Sequence, residues 1–439
     1  MPKRSVLDAA LFAWLCMAAC RTGQESQSSP ATPTAGPSAT PATASPSAEC
    51  FAGDVQTLRL PLYWDRQGSP SFDYKFQLKT SSRANAPVVI VIPGGPGGPS
   101  IGYAALAGGA LPADATVLYT DPRGSNCNAA PGGHFPVDAY RTEYLARDVK
   151  AVVEKLQLRN FYVYGHSYGT VEGTVLTSIL ERESAYVPRG LVLEGTLGRH
   201  LAAGFPEQIS AFDEQWQLVK EQLTPGVAEQ FSGAALPLGF SSRQWARLIT
   251  ESLYEGVVPG LGIRLQVELD RLAAGDAATN AQLTAYFDQL DLGFRYLVDA
   301  NVNAISCREL YGSLFASDLS AGHLVPTGND GCQSLGVAFS DPYDSAFWPT
   351  TTPIYYFQGS NDPATPPSYA AYHLDTHRGS PRHFVYVLEA SHDPLTQSLT
   401  TAGCSGGVWR SILFGTGTLQ DAVRPCRGLD VRVSDSPAQ

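Results

Sequence analysis

Five residues, Gly165-His166-Ser167-Tyr168-Gly169, form the pattern Gly-x-Ser-x-Gly directly after a strand-forming run and before a segment, Thr170 to Arg182, that suits a helix. Small residues must flank a turn this tight, because a side chain there would collide with its neighbours, and the turn lifts the Ser167 hydroxyl clear of the backbone. A serine hydroxyl is a weak nucleophile at neutral pH, so it needs a base and a group that orients the base. Such an elbow takes its partners in the chain order serine, acid, histidine, with both partners after strands near the C-terminus. Asp362, in Gln358-Gly-Ser-Asn-Asp-Pro-Ala-Thr-Pro366, and His392, in Ala390-Ser-His-Asp393, meet that requirement. Both fall in loops at the C-terminal ends of strands, where open α/β sheets build their sites. Alone, Asp362 would pass for a helix N-cap ahead of Pro363 and His392 for a surface histidine. Together and in order, they support a catalytic triad.

Acyl transfer through a serine also needs donors for the oxyanion. One is expected from the backbone N–H of Tyr168, and the second from Gly94 or Gly95 in the loop Pro93-Gly-Gly-Pro-Gly-Gly-Pro99. Each such donor is worth on the order of 3 kcal/mol in the transition state. His166 is taken as packing within the elbow, because adjacent residues at a sharp turn point apart. His373 and His377 stand four apart on an expected helix, but only Asp375 is near them as a third ligand, so no metal site is expected. The chemistry calls for no cofactor.

The elements that must hold these residues alternate. Pro87 to Ile92, Thr116 to Thr120, Phe161 to Tyr164, Leu191 to Leu193, Ile354 to Phe357 and Phe384 to Leu388 are short apolar runs broken by glycine, proline or aspartate, as buried strands are. Tyr144, Leu145, Val149, Val152, Val153 and Leu156 repeat at helical spacing. Apolar strands alternating with helices predict a parallel sheet covered on both faces. The region from about 200 to 350 breaks the rhythm: Phe212, Trp216, Val219 and Leu223 step as a helix does, and no comparable strand run occurs. It is expected to be an inserted helical cap.

Lys and Arg number 30 against 41 Asp and Glu, a net charge of −11, with no basic run longer than Lys3-Arg4, which argues against a nucleic-acid partner. With 44% hydrophobic and 16% charged residues the chain cannot be globally disordered, and no apolar stretch beyond the N-terminus is long enough for a membrane span. Lys3-Arg4 followed by the mostly apolar run Leu7 to Ala19 predicts a signal peptide over 1–19, although Asp8 interrupts it. The run closes on Met17-Ala-Ala-Cys20, which resembles a bacterial lipobox and makes Cys20 the expected lipid acceptor. Of the 28 residues from Arg21 to Ala48, 24 are Ser, Thr, Pro, Ala or Gly, so 20–48 is expected to be the anchor cysteine and a disordered tether. The remaining boundaries follow: a core over 49–198, the cap over 199–350 and the rest of the core over 351–439. After export six cysteines remain. Their even number favours disulfides, of which 307–332 and 404–426 are the natural short-range pairs, leaving Cys50 for Cys127.

Taken in order, Gly94-Gly-Pro-Gly-Gly98, Asp121-Pro-Arg-Gly124, Gly165-His-Ser-Tyr-Gly-Thr170, Leu191-Val-Leu-Glu-Gly195, Asn361-Asp-Pro-Ala-Thr-Pro366 and Ser391-His392 resemble the blocks of the α/β-hydrolase aminopeptidases that include prolyl and tripeptidyl aminopeptidases. They span roughly Cys50 to Cys426, and the opening Leu60-Pro-Leu-Tyr-Trp64 is similar to that of the tripeptidyl group. The resemblance implies an α/β-hydrolase fold with a largely helical cap inserted between core strands. It also implies Ser167 as nucleophile, Asp362 as acid, His392 as base, and peptides with a free N-terminus as substrates. The chain departs from the pattern in four places. Ile92-Pro93 replaces the histidine that precedes the glycines in prolyl aminopeptidases, Pro99-Ser-Ile101 stands where Ser-Gly is common, Glu194 replaces an aspartate and Asp393 replaces a glycine. Glu207, Glu214, Glu221 and Glu229 are candidates for the substrate's amino group, against the plainer expectation of exposed glutamates on cap helices. A carboxylesterase or lipase with the same triad is the alternative activity, and a binding lipoprotein on a decayed hydrolase fold is a third.

In the mature protein Cys20 is expected to be acylated, and Cys20→Ser to release the protein from the membrane fraction. Mass spectrometry of the mature N-terminus checks this, since an unmodified Cys20 or cleavage elsewhere would contradict it.

Overall fold

Buried β-branched and aromatic runs need a sheet flanked on both faces, and the chain builds one of nine strands. The computed structural model describes residues 51, 53–100, 111–201, 206–233, 235–258, 261–294, 300–311, 317–327 and 331–438. The expected signal peptide, Cys20, the tether and Cys50 lie outside the described residues. The strands are β1 (Val55–Pro61), β2 (Ser71–Lys79), β3 (Val88–Ile92), β4 (Thr116–Thr120), β5 (Phe161–His166), β6 (Leu191–Glu194), β7 (Ser317–Ser320), β8 (His323–Pro326), β9 (Ile354–Gly359), β10 (Arg382–Val387) and β11 (Val431–Ser436). The main sheet has the order β1-β2-β4-β3-β5-β6-β9-β10-β11, and β7 pairs with β8 apart from it. From β4 through β10 every neighbouring pair is parallel, whereas β1, β2 and β11 pair antiparallel at the two edges.

The sheet is therefore mixed, not wholly parallel as the apolar runs predict. The missed edge strands are half-exposed and carry the alternating pattern of such strands: in β2, Phe72, Tyr74 and Phe76 are buried while Ser71 and Asp73 face water. The central strands β3 to β6 are buried throughout.

Alternation along those strands divides the core. Ile90, Ile92, Val163 and Leu193 pack with α1 (Thr142–Leu156) and α2 (Tyr168–Glu183). Val89, Val91, Tyr164 and Val387 face the other way, onto Val408, Trp409 and Ile412, which lie on the C-terminal helix Ser405–Phe414.

The segment between β6 and β9 has a core of its own. Phe212 and Trp216 of α3 (Pro206–Glu221) and Trp245 and Ile249 of α4 (Ser242–Glu255) meet Leu269 of α5 (Leu265–Ala273) and Leu283 and Phe287 of α6 (Ala277–Phe294). It is mainly helical but contains the β7–β8 hairpin, where no strand is expected. With only four residues a side, these strands are too short for a periodic signal.

Cys307–Cys332 and Cys404–Cys426 are bonded, with Cα atoms 5.5 and 5.3 Å apart, as the spacing predicts. Cys127 is buried, and the expected pairing with Cys50 falls outside the described residues.

Replacing both Cys404 and Cys426 by alanine is expected to lower the unfolding free energy by about 2–4 kcal/mol, because the bridge closes a loop in the unfolded chain. Urea denaturation checks this, and a change below about 0.5 kcal/mol would show that the bridge adds little.

Candidate active site

Ser167 occupies a conformation that few side chains tolerate, with φ 54° and ψ −122°, between the end of β5 and the start of α2. Such a conformation costs on the order of 1–3 kcal/mol and persists only when the surroundings enforce it. Here they do. The Ser167 N–H donates to the Glu194 carbonyl of β6 at 2.8 Å, and the Ser167 carbonyl accepts from Thr170 N at 2.8 Å and Thr170 Oγ1 at 2.6 Å. Behind the turn, a Cβ on Gly169 would stand 2.2 Å from the Ile92 carbonyl, so only glycine lets α2 start this close to the end of β3.

That approach puts the start of α2 beside the glycine loop that leaves β3. The Tyr168 N–H opens α2 and has no acceptor within the helix. Its side chain turns into the core, where the hydroxyl meets Thr142 Oγ1 at 2.8 Å. Gly94 is buried and Gly95 exposed. The loop is pinned at its far end by Asp121, whose Oδ1 accepts from Ser100 N and Oγ, both at 2.8 Å. Nearby, Arg123 is wholly buried and bonded through Nε to Asp148 Oδ2 at 2.7 Å. The Asp-Pro-Arg-Gly block therefore supports the loop from behind.

Asp362 is 2% exposed and surrounded by donors. Oδ1 accepts from Ala364 N and Thr365 N at 2.9 Å, and Oδ2 from Thr365 Oγ1 at 2.6 Å and Gln358 Nε2 at 3.1 Å. His392 Nδ1 completes the set at 3.0 and 2.9 Å from the two oxygens. With Nδ1–H donated to the carboxylate, the lone pair of the neutral ring lies on Nε2, the nitrogen a base needs. Nε2 is buried and makes no hydrogen bond among the described residues. The ring rests on Gly195, where a Cβ would stand 2.8 Å from His392 Cε1, and Gly195 directly follows the residue whose carbonyl holds Ser167. Three residues distant in sequence are thus gathered at one end of the sheet.

The surroundings set the proton affinity of His392. Burial alone would depress it, but the Asp362 charge and hydrogen bond outweigh burial, Asp393 and Glu194 add to them, and the imidazole is raised to about 9. Glu194 is itself pushed up by burial.

Sequence reasoning did not find two features here. His166 is more than elbow packing: its ring lies 4.9 Å from that of His392, and its Nε2 stands 2.5 Å from Asp393 Oδ1. Burial would raise the Asp393 carboxyl, but His166 outweighs it and holds the group below the usual carboxylate range. The signal in the sequence was the aspartate directly after His392. The second feature is Glu255 at the end of α4, raised to about 8 by burial and by the charges of Glu251 and Asp393. The end of α4 sits on the base loop, with Ser391 Oγ donating to Tyr254 O at 3.0 Å and the Tyr254 ring 5.2 Å from that of His392. By contrast Glu214, Glu221 and Glu229 are exposed, as the plainer expectation has it. His373 and His377 stack in the core at 4.0 Å, with Tyr356 and Thr174 as hydrogen-bond partners of His373.

Residues 87–394, well over half of the chain, match the family model for the alpha/beta hydrolase fold. The chain belongs to the alpha/beta hydrolase family. Solved structures similar to this hydrolase include a proline iminopeptidase of Mycobacterium smegmatis, at 17% identity and a TM-score of 0.44, covering 82% of this chain and 100% of that one. An esterase from Exiguobacterium antarcticum is 14% identical with a TM-score of 0.37, covering 71% of this chain and 86% of its own. An epoxide hydrolase from metagenomes of hot environments is 15% identical with a TM-score of 0.37, covering 83% and 100% respectively. No curated protein matches the chain.

In the folded hydrolase His392 is expected to titrate near 9. Because the fold favours the protonated ring, that contribution to stability is complete below about pH 6.5 and is lost as the pH rises through about 9. Histidine Cε1-proton NMR from about pH 5 to about pH 10 checks this, with Asp362→Asn expected to lower the midpoint by more than one unit. A wild-type midpoint at or below 6.5 would contradict it.

Proposed function

We propose that this hydrolase is an exported, lipid-anchored serine peptidase that releases residues or short peptides from free peptide N-termini. The observation that carries the serine chemistry is the buried Asp362–His392 pair, with hydrogen bonds of 2.9 and 3.0 Å, beside a serine held at φ 54°. In its neutral form, which prevails above about pH 9, His392 takes the proton at Nε2 as Ser167 Oγ attacks the substrate carbonyl. The oxyanion is met by the Tyr168 N–H and by an N–H of the Gly94-Gly95 loop. The same proton passes from His392 to the departing amine, and the acyl-enzyme is then hydrolysed by water activated at His392.

Peptidase specificity draws its support from Glu255. A partly buried carboxyl beside the base loop, raised to about 8 by burial and by the charges of Glu251 and Asp393, gains most when a positive group enters beside it. The α-ammonium group of a peptide is such a group. An esterase with an apolar acyl pocket has no use for it.

Acetylating the peptide would remove a charge-assisted contact, a loss of about 2–5 kcal/mol. Free tripeptide and single-residue amides are therefore expected to exceed their acetylated forms by on the order of 30-fold or more in kcat/KM, with Glu255→Gln narrowing that ratio. Ser167→Ala is expected to abolish fluorophosphonate labelling and to cut turnover by several orders of magnitude. Equal rates on free and acetylated peptides, with fast hydrolysis of simple alkyl esters, would overturn the peptidase reading in favour of the esterase. Labelling that survives Ser167→Ala would overturn the serine assignment itself.

A further inference from the structure

The nucleophile and the base grow from strands that are not neighbours. Ser167 follows β5 and His392 follows β10, and β6 and β9 lie between those two strands. At about 4.8 Å per strand the two starting points are about 14 Å apart, so the loop after β10 must fold back over two strands before His392 can meet Ser167. The sheet register does not fix how far back it comes. Misplacement by about 1 Å can cost on the order of a hundredfold in rate, so side chains must set the position.

Two links do so. The first runs through Glu194 at the end of β6, whose carbonyl accepts from Ser167 N at 2.8 Å. Its Oε1 accepts from Leu395 N at 2.7 Å and Thr396 N at 2.9 Å, just beyond the base. The second runs through the two residues directly bonded to the reacting pair. His166 precedes Ser167 and Asp393 follows His392, and His166 Nε2 stands 2.5 Å from Asp393 Oδ1. Both side chains are largely withdrawn from water, His166 at 5% and Asp393 at 21% exposure. The His166 ring also meets the His392 ring edge-on, at 4.9 Å and 69°. Ser167, His166, Asp393 and His392 therefore lie on one short path made of two peptide bonds and one side-chain contact.

Resting on the assignment of Ser167 as nucleophile and His392 as base, we infer that the His166–Asp393 contact is a brace that sets the position of His392 relative to Ser167. Asp393 is then a positioning residue, and so is the histidine inside the elbow. Neither exchanges a proton with the substrate. The brace acts on acylation, a step shared by peptide and ester substrates, so it does not depend on which of the two the enzyme prefers.

The test compares Asp393→Asn, His166→Gln and the double variant in the full-length protein, on the best substrate found for the wild type. The measurements are kcat and KM per titrated active site, the rate of fluorophosphonate labelling, and the melting temperature. Each single variant is expected to lose about tenfold or more in kcat and in labelling rate, with KM within about twofold of the wild type. The double variant is expected to be no slower than the worse single one, because one contact is lost only once. Asp393→Glu, which keeps the carboxylate, is expected to recover part of the loss. An unchanged kcat per titrated site in both single variants, losses that multiply in the double variant, or a fall confined to melting temperature would each overturn the brace. Should Asp393→Asn fail to fold, His166→Gln and Asp393→Glu are judged by the same outcomes. Ser167→Ala separates the layers: labelling that survives it removes the assignment on which the brace rests, whereas labelling lost with unaffected brace variants removes the brace alone.

Discussion

A carboxylate withdrawn almost completely from water must be compensated, and much of this site follows from how Asp362 is. Burying an uncompensated charge costs several kcal/mol or more, and removing one partner of a buried pair typically costs about 3–5 kcal/mol. Asp362 has five partners: two backbone N–H groups, the Thr365 hydroxyl, the Gln358 amide and His392. To supply the first three, the loop after β9 curls around the carboxyl. Gln358 then ties that curl to its neighbours, donating to Thr365 O at 2.9 Å and accepting from Thr196 N at 3.3 Å. The loops after β6, β9 and β10 are thereby joined at one buried charge, and His392 is oriented as a result.

The same region is acidic beyond that need. Asp362, Asp393 and Glu194 all raise the proton affinity of the one imidazole at their centre. The same charges that would stabilise an imidazolium as a serine attacks also hold the proton on the ring at rest, so the neutral base prevails only above about pH 9. Glu255 extends the acidic field into α4. One carboxylate thus orients the base, and a second, Asp393, follows it on the same loop.

Support for the oxyanion side is structural and comes from farther away. Asp121 holds Ser100 at the end of the glycine loop, and Thr142 at the start of α1 holds the Tyr168 hydroxyl. Glu309, raised to about 7 by burial, in turn accepts from Thr142 N at 3.1 Å. Residue 309 belongs to the segment between β6 and β9, two positions after Cys307 and its bridge to Cys332. Chain well outside the central strands therefore steadies the turn that presents Ser167.

Local chemistry made much of this legible in the sequence. Gly169 is glycine because a Cβ would strike Ile92, a demand that is present in the pentapeptide itself. The central strands are continuous apolar runs because both their faces are buried, so β3, β4 and β5 stand out without a structure. The order of Ser167, Asp362 and His392 follows from the order of the strands that carry them. The edge strands β1, β2 and β11 escaped because half of each faces water and only their alternation marks them. Glu255 looked like any glutamate at a helix end, and only the packing of α4 against the base loop withdraws it from solvent. The meeting of His166 with Asp393 lies deepest, since the two residues are far apart in sequence and come together only because a loop crosses two strands. Residue type and local sequence determined which groups could do the chemistry. The return of that loop, a long-range contact with no periodicity to announce it, decided what surrounds them.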